Sequence, residues 1–139
     1  MTSNTTTVAI CIATFKRPEL LGNCLCSINK ITIPDHVRPI IIVVDNDVER
    51  SAETTFNNEI KSLTIDAFYY VEPDRGICAA RNRLLEKAET HQATFVAFVD
   101  DDELTHKQWL ANMFNGLKTY PADILAGPVL PITETTAPK

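Results

Sequence analysis

The sequence predicts an α/β fold, in which a doubly wound, mostly parallel sheet is flanked by helices. Short apolar runs of strand length alternate along the chain with segments whose apolar residues recur at helical spacing. The runs at residues 8–13 and 40–44 contain no charged position, which is typical of strands that are buried on both faces of a parallel sheet. Strands that alternate with helices favour parallel pairing with helices on both faces.

The first half of the chain predicts two strand–helix units. The strand at 8–13 is followed by a helix that begins at Pro18, because proline suits the first turn of a helix. Leucine and isoleucine then recur on one helical face as far as Ile28. The strand at 40–44 is followed by a shorter, more polar helix around Phe56.

The second half repeats this pattern. A third strand is predicted at 65–71, and the helix after it has Leu84 and Leu85 on its apolar face. A fourth strand at 94–99 precedes a helix that carries Trp109, Leu110, Met113, Phe114 and Leu117. A fifth, short strand is expected at 124–126.

The length of 139 residues fits a single domain. We assign this domain to residues 8–131. The ends at 1–7 and 132–139 are rich in threonine and lack periodicity, so both are expected to be disordered.

The composition excludes several classes of function. The net charge of −5 argues against nucleic acid as a partner, and also against a polybasic membrane contact. No apolar run is long enough for a transmembrane segment. The first residues lack the charged and apolar regions of a signal peptide. A cytoplasmic location is therefore expected, and peripheral contact with the inner face of the membrane is left open.

The most informative feature is an acidic run directly after the fourth strand. Asp100, Asp101, Asp102 and Glu103 follow an apolar run of strand length, so they are delivered to the carboxyl edge of the sheet, where open α/β folds place their ligands. Adjacent carboxylates repel one another and need a compensating charge. Their hard oxygens suit Mg²⁺ or Mn²⁺, which usually bind together with a phosphate-bearing substrate. The run therefore predicts a metal–diphosphate site.

Polar residues also follow the other three strands. They include Thr14 and Arg17 after the first strand, Asp45 after the second, and Glu72 after the third. The glycine-rich loops that usually cradle phosphates are not present, so a divalent cation and arginine would have to neutralise a diphosphate. Arg81, on the third helix, either points back to this edge or lies over the core and pairs with a surface acid.

Four segments together carry a resemblance to a known family. They are CIATFKRP at 11–18, VVDN at 43–46, EPDRGICAARN at 72–82 and FVDDDE at 98–103. In order and spacing they resemble family 2 glycosyltransferases of the GT-A fold, a Rossmann-like architecture. The resemblance extends over about residues 8–131, and four motifs in sequence are far more specific than any one of them.

The resemblance implies a role for each candidate residue. Thr14 and Asp45 resemble residues that hold the nucleotide base and its sugar, and Arg81 resembles an arginine that faces the nucleotide. The acidic run resembles the Asp-x-Asp signature, in which the last aspartate binds the metal and an earlier one contacts the ribose. The candidate nucleotide-sugar ligands are Thr14, Arg17, Asp45, Glu72, Arg81, Asp100 and Asp101, and the candidate ligands of Mn²⁺ or Mg²⁺ are Asp102 and Asp100.

The resemblance also implies what lies outside this sequence. In the family an acceptor half follows the donor half and supplies the general base. Here the sequence stops shortly after residues 127–131, so we expect the donor half of a larger enzyme or a truncated chain, and we assign no catalytic base. The expected partners are a nucleotide-diphospho-sugar donor and an acceptor glycan or lipid-linked sugar, as in polysaccharide biosynthesis. An uncovered apolar sheet edge predicts self-association into a homo-oligomer.

The leading hypothesis is an inverting glycosyltransferase that transfers a sugar to an acceptor hydroxyl. One alternative is a non-catalytic module that binds a nucleotide sugar. A sugar nucleotidyltransferase ranks lower, because such enzymes normally place a glycine-rich basic loop after the first strand.

A purely structural alternative is that the acids cap helices, with Asp102 or Thr105 capping the fourth helix and Asp74 the third. Capping accounts for one carboxylate per loop but not for three in a row. It accounts well for Asp47 and Glu49, which we leave out of the site.

Overall fold

Four strands and four helices alternate along residues 4–133, the part of the chain that the computed structural model describes. In chain order the elements are β1 (Thr6–Thr14), α1 (Pro18–Ile28), β2 (Val37–Asp45), α2 (Glu53–Glu59), β3 (Asp66–Val71), α3 (Ile77–Thr90), β4 (Phe95–Phe98) and α4 (Trp109–Thr119). The strands form one parallel sheet in the order β3-β2-β1-β4. This architecture confirms the predicted α/β class.

The two central strands are apolar at every core position because helices cover both faces of the sheet. On β1, Ile10 and Ile12 pack against α1 and α2, and the intervening Cys11 packs against α3. The same alternation along β2 places Ile41 towards α1 and Ile42 towards α3. A strand that is buried on both faces has no outward position for a polar residue, which explains the continuous apolar runs in the sequence.

The strand boundaries differ from the predicted ones, and the prediction of a fifth strand is wrong. β1 begins at Thr6, inside the predicted disordered end, and β2 begins at Val37. Residues 124–126 belong to an irregular segment that follows α4. Its Leu125 side chain packs into the notch at Gly116 of α4, where a Cβ atom would lie 2.5 Å from Leu125 Cδ2. This contact gives the half-buried leucine a packing partner without strand pairing. The predicted disorder at 1–3 and 134–139 lies outside the described residues.

Helix α3 buries a narrower stripe than the sequence predicted. Ala80, Leu84 and Ala88 recur every four residues and are buried against β1 and β2. Leu85, predicted on the same face, is 45% exposed, because the next position along a helix is rotated by about 100°.

Strand β4 forms one edge of the sheet. It pairs with β1, and among the described residues no strand pairs with its other side. Its large side chains are partly open to solvent, with Phe95, Val96 and Phe98 being 38%, 37% and 46% exposed. Within residues 4–133 no helix has the length and apolar character needed to cross a membrane.

The neighbouring leucines of α3 provide a matched test of this packing. Leu84→Ala should lower the free energy of unfolding by about 2–5 kcal/mol, because it leaves a cavity between α3 and the sheet. Leu85→Ala makes the same chemical change one residue later in the same helix and should cost less than about 1 kcal/mol. Urea denaturation of both variants measures the difference; equal losses would contradict the observed orientation of α3.

Candidate active site

The candidate site lies where the order of the strands reverses. From β1 the chain moves outwards to β2 and β3, and then crosses over α3 to place β4 on the opposite side of β1. Ligands of open α/β sheets bind at such a switch point, outside the carboxyl ends of the strands. Thr14 ends β1 and the acidic run follows β4, so both lie at this crevice.

A buried hydrogen bond joins the two sides of the crevice. The Thr14 hydroxyl donates to Oδ2 of Asp101 at 2.8 Å, and both residues are only 3% exposed. Two groups separated by 87 positions in the sequence therefore lie in direct contact, as the strand-end argument predicted.

Two arginines pair with the three aspartates of the run. Nη1 of Arg17 lies 3.5 Å from Oδ1 of Asp101 and 3.3 Å from Oδ2 of Asp102, and Nη2 of Arg81 lies 3.7 Å from Oδ1 of Asp100. Arg81 therefore points back to the sheet edge, the first of the two orientations considered for it. Both arginine side chains are 51% exposed, and ion pairs this exposed contribute little stability. Their main effect is to balance the charge of the run.

Asp101 lies in an environment that disfavours its charge. Burial raises the pKa of this carboxyl group, and the charges of Asp102 and Asp100 raise it further, whereas the Thr14 hydrogen bond and Arg17 oppose the rise. An additional cation nearby would stabilise the charged form of such a carboxylate. The site therefore favours the approach of positive charge.

The exposed carboxylates fit a hard divalent cation. Asp100 and Asp102 are 63% and 53% exposed at the mouth of the crevice, and carboxylate oxygens are the ligands that Mg²⁺ and Mn²⁺ prefer. Among residues 4–133 no three His, Cys, Asp or Glu side chains are grouped so as to hold a metal ion by themselves. This donor set matches an ion that takes one or two carboxylates and completes its shell with phosphate oxygens and water.

Asp45 reaches the carboxyl end of β2 but is fully buried. Its Oδ1 accepts the Asp47 N–H at 3.1 Å, and its Oδ2 accepts the Ala52 N–H at 2.9 Å and the Tyr69 hydroxyl at 2.6 Å. Burial and the hydrogen bond to Asp45 raise the pKa of Tyr69. Three internal donors therefore hold this buried carboxylate, and its contact with a nucleotide stays a prediction that this geometry does not favour.

Glu72 is directed to α3 instead of to the acidic run. Its Oε2 lies 3.1 Å from Nε of Arg83, and its Oε1 accepts the Asp74 N–H at 2.9 Å. Both oxygens therefore hold the loop between β3 and α3. Its assignment as a nucleotide-sugar ligand stays a prediction that this geometry does not favour.

Asn46 is a site residue that the sequence analysis did not single out. Its Nδ2 donates to the carbonyl oxygens of Glu72 and Asp74 at 2.9 and 2.7 Å, and its Oδ1 accepts the Gly76 N–H at 2.9 Å. Three hydrogen bonds from one amide fix the loop to the end of β2. Gly76 adopts φ 132° and ψ 151°, a conformation that is essentially restricted to glycine.

The fixed loop borders a cavity of about 210 Å³ at the crevice. Its lining includes Thr14, Phe15, Arg17, Arg75 and Asp101. Arg75, which the sequence analysis also did not select, rests on Phe15 with Cζ 3.8 Å from the ring centroid. Ligand pockets usually measure about 300–1,000 Å³, so this cavity has room for part of a nucleotide sugar.

The capping alternative for the acids is wrong. Helix α3 begins after Gly76 and α4 after Gln108, and neither helix has a side-chain hydrogen bond at its cap. Glu103 acts locally, because its Oε2 accepts the Asp100 N–H at 2.9 Å. Asp47 is also structural, since its Oδ1 accepts the Glu49 N–H at 3.2 Å.

This parallel, helix-flanked sheet is the α/β class of fold that the resemblance implied. The chain belongs to glycosyl transferase family 2, whose sequence profile it matches over residues 9–139. It is 32% identical over its whole length to the succinoglycan biosynthesis protein ExoM of Rhizobium meliloti. It is also 26% identical, over 86% of its length, to the glycosyltransferase GlyA of Streptococcus pneumoniae serotype 4.

Solved structures share the fold. The Staphylococcus aureus TarS 1–349 complex with UDP-GlcNAc superposes with a TM-score of 0.72 over 96% of this chain, at 19% identity. The mannosyltransferase PcManGT of Pyrobaculum calidifontis, in complex with GDP-Man and Mn²⁺, gives 0.64 over 79% at 22% identity. This chain spans 44% of ExoM, 16% of GlyA, 37% of the TarS chain and 32% of the PcManGT chain, so it corresponds to less than half of each of these proteins.

Replacement of Asn46 tests the loop anchor. Asn46→Asp keeps the shape of the side chain but removes both donors and turns a carboxylate towards two carbonyl oxygens. The free energy of unfolding should fall by about 2–4 kcal/mol, because buried carbonyls lose their partners. Asn112→Asp, the same change at an exposed position of α4, is the control in the same urea titration. If both variants unfold alike, Asn46 is not the anchor.

Proposed function

We propose that this chain carries the donor-binding part of a glycosyltransferase that takes a sugar from a nucleotide-diphospho-sugar. The observation that carries the proposal is the switch-point site, where the Thr14–Asp101 hydrogen bond joins β1 to an acidic run balanced by two arginines. Family membership supports a glycosyltransferase over a sugar nucleotidyltransferase. The relative ExoM, named for succinoglycan biosynthesis, suggests a polysaccharide as the product.

Two structural neighbours support a nucleotide sugar as the ligand. TarS is solved in complex with UDP-GlcNAc, and PcManGT in complex with GDP-Man and Mn²⁺. The two ligands share a nucleoside diphosphate linked to a sugar but differ in the base. We therefore assign the ligand class to this chain and leave the choice of base to the experiment below.

The residues of the site have different proposed roles in donor binding. Asp102, with Asp100, would hold Mn²⁺ or Mg²⁺, which when bound stabilises the negative charge on the leaving diphosphate. Arg17 and Arg81 supply positive charge at the same edge of the sheet. Thr14 holds Asp101 at the crevice through a hydrogen bond, and the proposed role of this aspartate is to accept a hydrogen bond from the ribose.

The transfer itself is proposed to proceed as a single displacement with inversion at the anomeric carbon. A hydroxyl of an acceptor glycan or lipid-linked sugar attacks this carbon as the bond from the carbon to the diphosphate breaks, and the nucleoside diphosphate leaves. A general base removes the proton of the attacking hydroxyl. We assign that base to no residue of this chain. The proposed setting is cytoplasmic, with contact at the inner face of the membrane where the acceptor is lipid-linked.

Calorimetric titration with UDP, GDP and dTDP, each with and without Mn²⁺, tests donor binding. One nucleotide should bind more tightly with the metal, and Asp102→Asn should abolish most of the metal-dependent gain because it removes a charged ligand. Asp35→Asn, the same change in an exposed turn that precedes β2, should leave the gain intact. Full metal dependence in Asp102→Asn would remove the metal assignment, and failure of all three nucleotides to bind would contradict the proposed ligand class.

We also propose that the open edge at β4 permits self-association. Val96 is 37% exposed on a strand with one unpaired side among the described residues, and lysine on an edge strand opposes pairing with another chain. Val96→Lys should therefore reduce the concentration-dependent increase in sedimentation coefficient. Val129→Lys, the same change at a residue that is 73% exposed in an irregular segment, is the control. A wild-type chain that sediments as a monomer at all concentrations would refute the proposal.

A further inference from the structure

Arg75 differs from the other arginines of the described residues in its partners. Arg17, Arg38, Arg50, Arg81 and Arg83 each have a carboxylate oxygen within 4.0 Å. Arg75 forms no ion pair or hydrogen bond within residues 4–133 and instead lies over Phe15 beside the cavity. We propose that Arg75 binds the diphosphate of the nucleotide donor, an inference that rests on the proposed function.

The lack of a partner is unexpected for this chain. The sequence has 18 acidic residues against 13 lysines and arginines, so an exposed arginine has many potential partners. Stacking on an aromatic ring holds a guanidinium through its face. The N–H donors lie in the plane of the group, so those of Arg75 remain available to a ligand.

The backbone that carries Arg75 is fixed by its neighbours. Asn46 binds residues 72, 74 and 76, and Glu72 ties the same loop to Arg83 of α3. A group held in place before the ligand arrives loses less conformational entropy on binding. The loop therefore presents Arg75 at the wall of the cavity that Thr14, Arg17 and Asp101 also line.

The chemistry of the group favours the diphosphate over the base. A guanidinium donates two parallel N–H bonds to phosphate oxygens, and such charge-assisted bonds are stronger than bonds to neutral carbonyls. The acidic run adds negative charge to the same crevice, so an incoming diphosphate needs a cation that the run has not already engaged. Arg17 and Arg81 are paired with the run, whereas Arg75 is not.

Lys16 is the natural control for general electrostatic effects. Its Nζ lies 5.4 Å from the centroid of the same Phe15 ring, but Lys16 is not among the residues that line the cavity. Both cations act on the same neighbouring acid. The pKa of Asp47 is lowered first by the Ser51 side chain and in smaller part by Lys16 and Arg75. Replacing either cation with glutamine therefore removes one positive charge near Asp47. Only the Arg75 replacement also removes a group from the cavity wall.

The experiment compares wild type, Arg75→Gln, Arg75→Lys and Lys16→Gln with the nucleoside, monophosphate and diphosphate of the base that wild type prefers, at constant Mn²⁺ and salt. Calorimetry or ligand-observed NMR gives each affinity. Arg75→Gln should weaken diphosphate binding by about 10-fold to 100-fold, because a hydrogen-bonded charged partner is lost. Nucleoside affinity should change less than about twofold, and Arg75→Lys should recover part of the loss.

Three results would overturn the inference. Equal losses for nucleoside and diphosphate would place Arg75 at the base, and an equal loss in Lys16→Gln would show a general charge effect. Unchanged diphosphate affinity in Arg75→Gln, with wild type binding normally, would refute the role of Arg75 and leave the proposed function intact. Failure of wild type to bind any of these nucleotides would refute the proposed function itself. Matching urea midpoints for all variants show that the comparison is made on folded protein.

Discussion

The site depends on the placement of β4 beside β1. If β4 had continued outwards from β3, two strands would separate the acidic run from Thr14. The crossover through α3 instead places β4 on the other side of β1, so Thr14 and Asp101 meet at 2.8 Å. Buried hydrogen bonds to a carboxylate fix its orientation. The positions of Arg17 and Arg81 relative to the acidic run follow from this one adjacency.

Charge balance is the second constraint on the site. Asp101 is buried beside two exposed aspartates, so its pKa is raised by burial and by their charges. The Thr14 hydroxyl and the half-exposed Arg17 side chain oppose this rise in the pKa. Exposed ion pairs of this kind contribute roughly 0–1 kcal/mol each, so they leave the acidic run free to exchange partners. Weak internal pairing of this kind suits the proposed binding and release of a charged nucleotide sugar.

The sequence predicted most of the fold because its periodicities are strong. The apolar runs of β1 and β2 identify strands covered on both faces, and Pro18 marks the start of α1 correctly. The fifth strand at 124–126 failed because three apolar residues do not distinguish a strand from a loop side chain that packs into a notch. Leu125 has such a notch at Gly116, and only the folded chain brings the two together.

The site was predicted through its charges but not through its supports. A run of carboxylates after a strand is visible in the sequence, so Thr14 and the acidic run could be assigned to one sheet edge from the order of the elements alone. Asn46 and Arg75 carry no such signal: polar residues are ordinary in loops, and their importance lies in which partners they have. Asn46 uses its whole amide on the 72–76 loop, whereas Arg75 has an aromatic ring where the other arginines have acids. The partners of a side chain depend on the tertiary structure. Only a structure that shows the hydrogen bonds and ion pairs within the chain can identify a side chain that is available to a ligand.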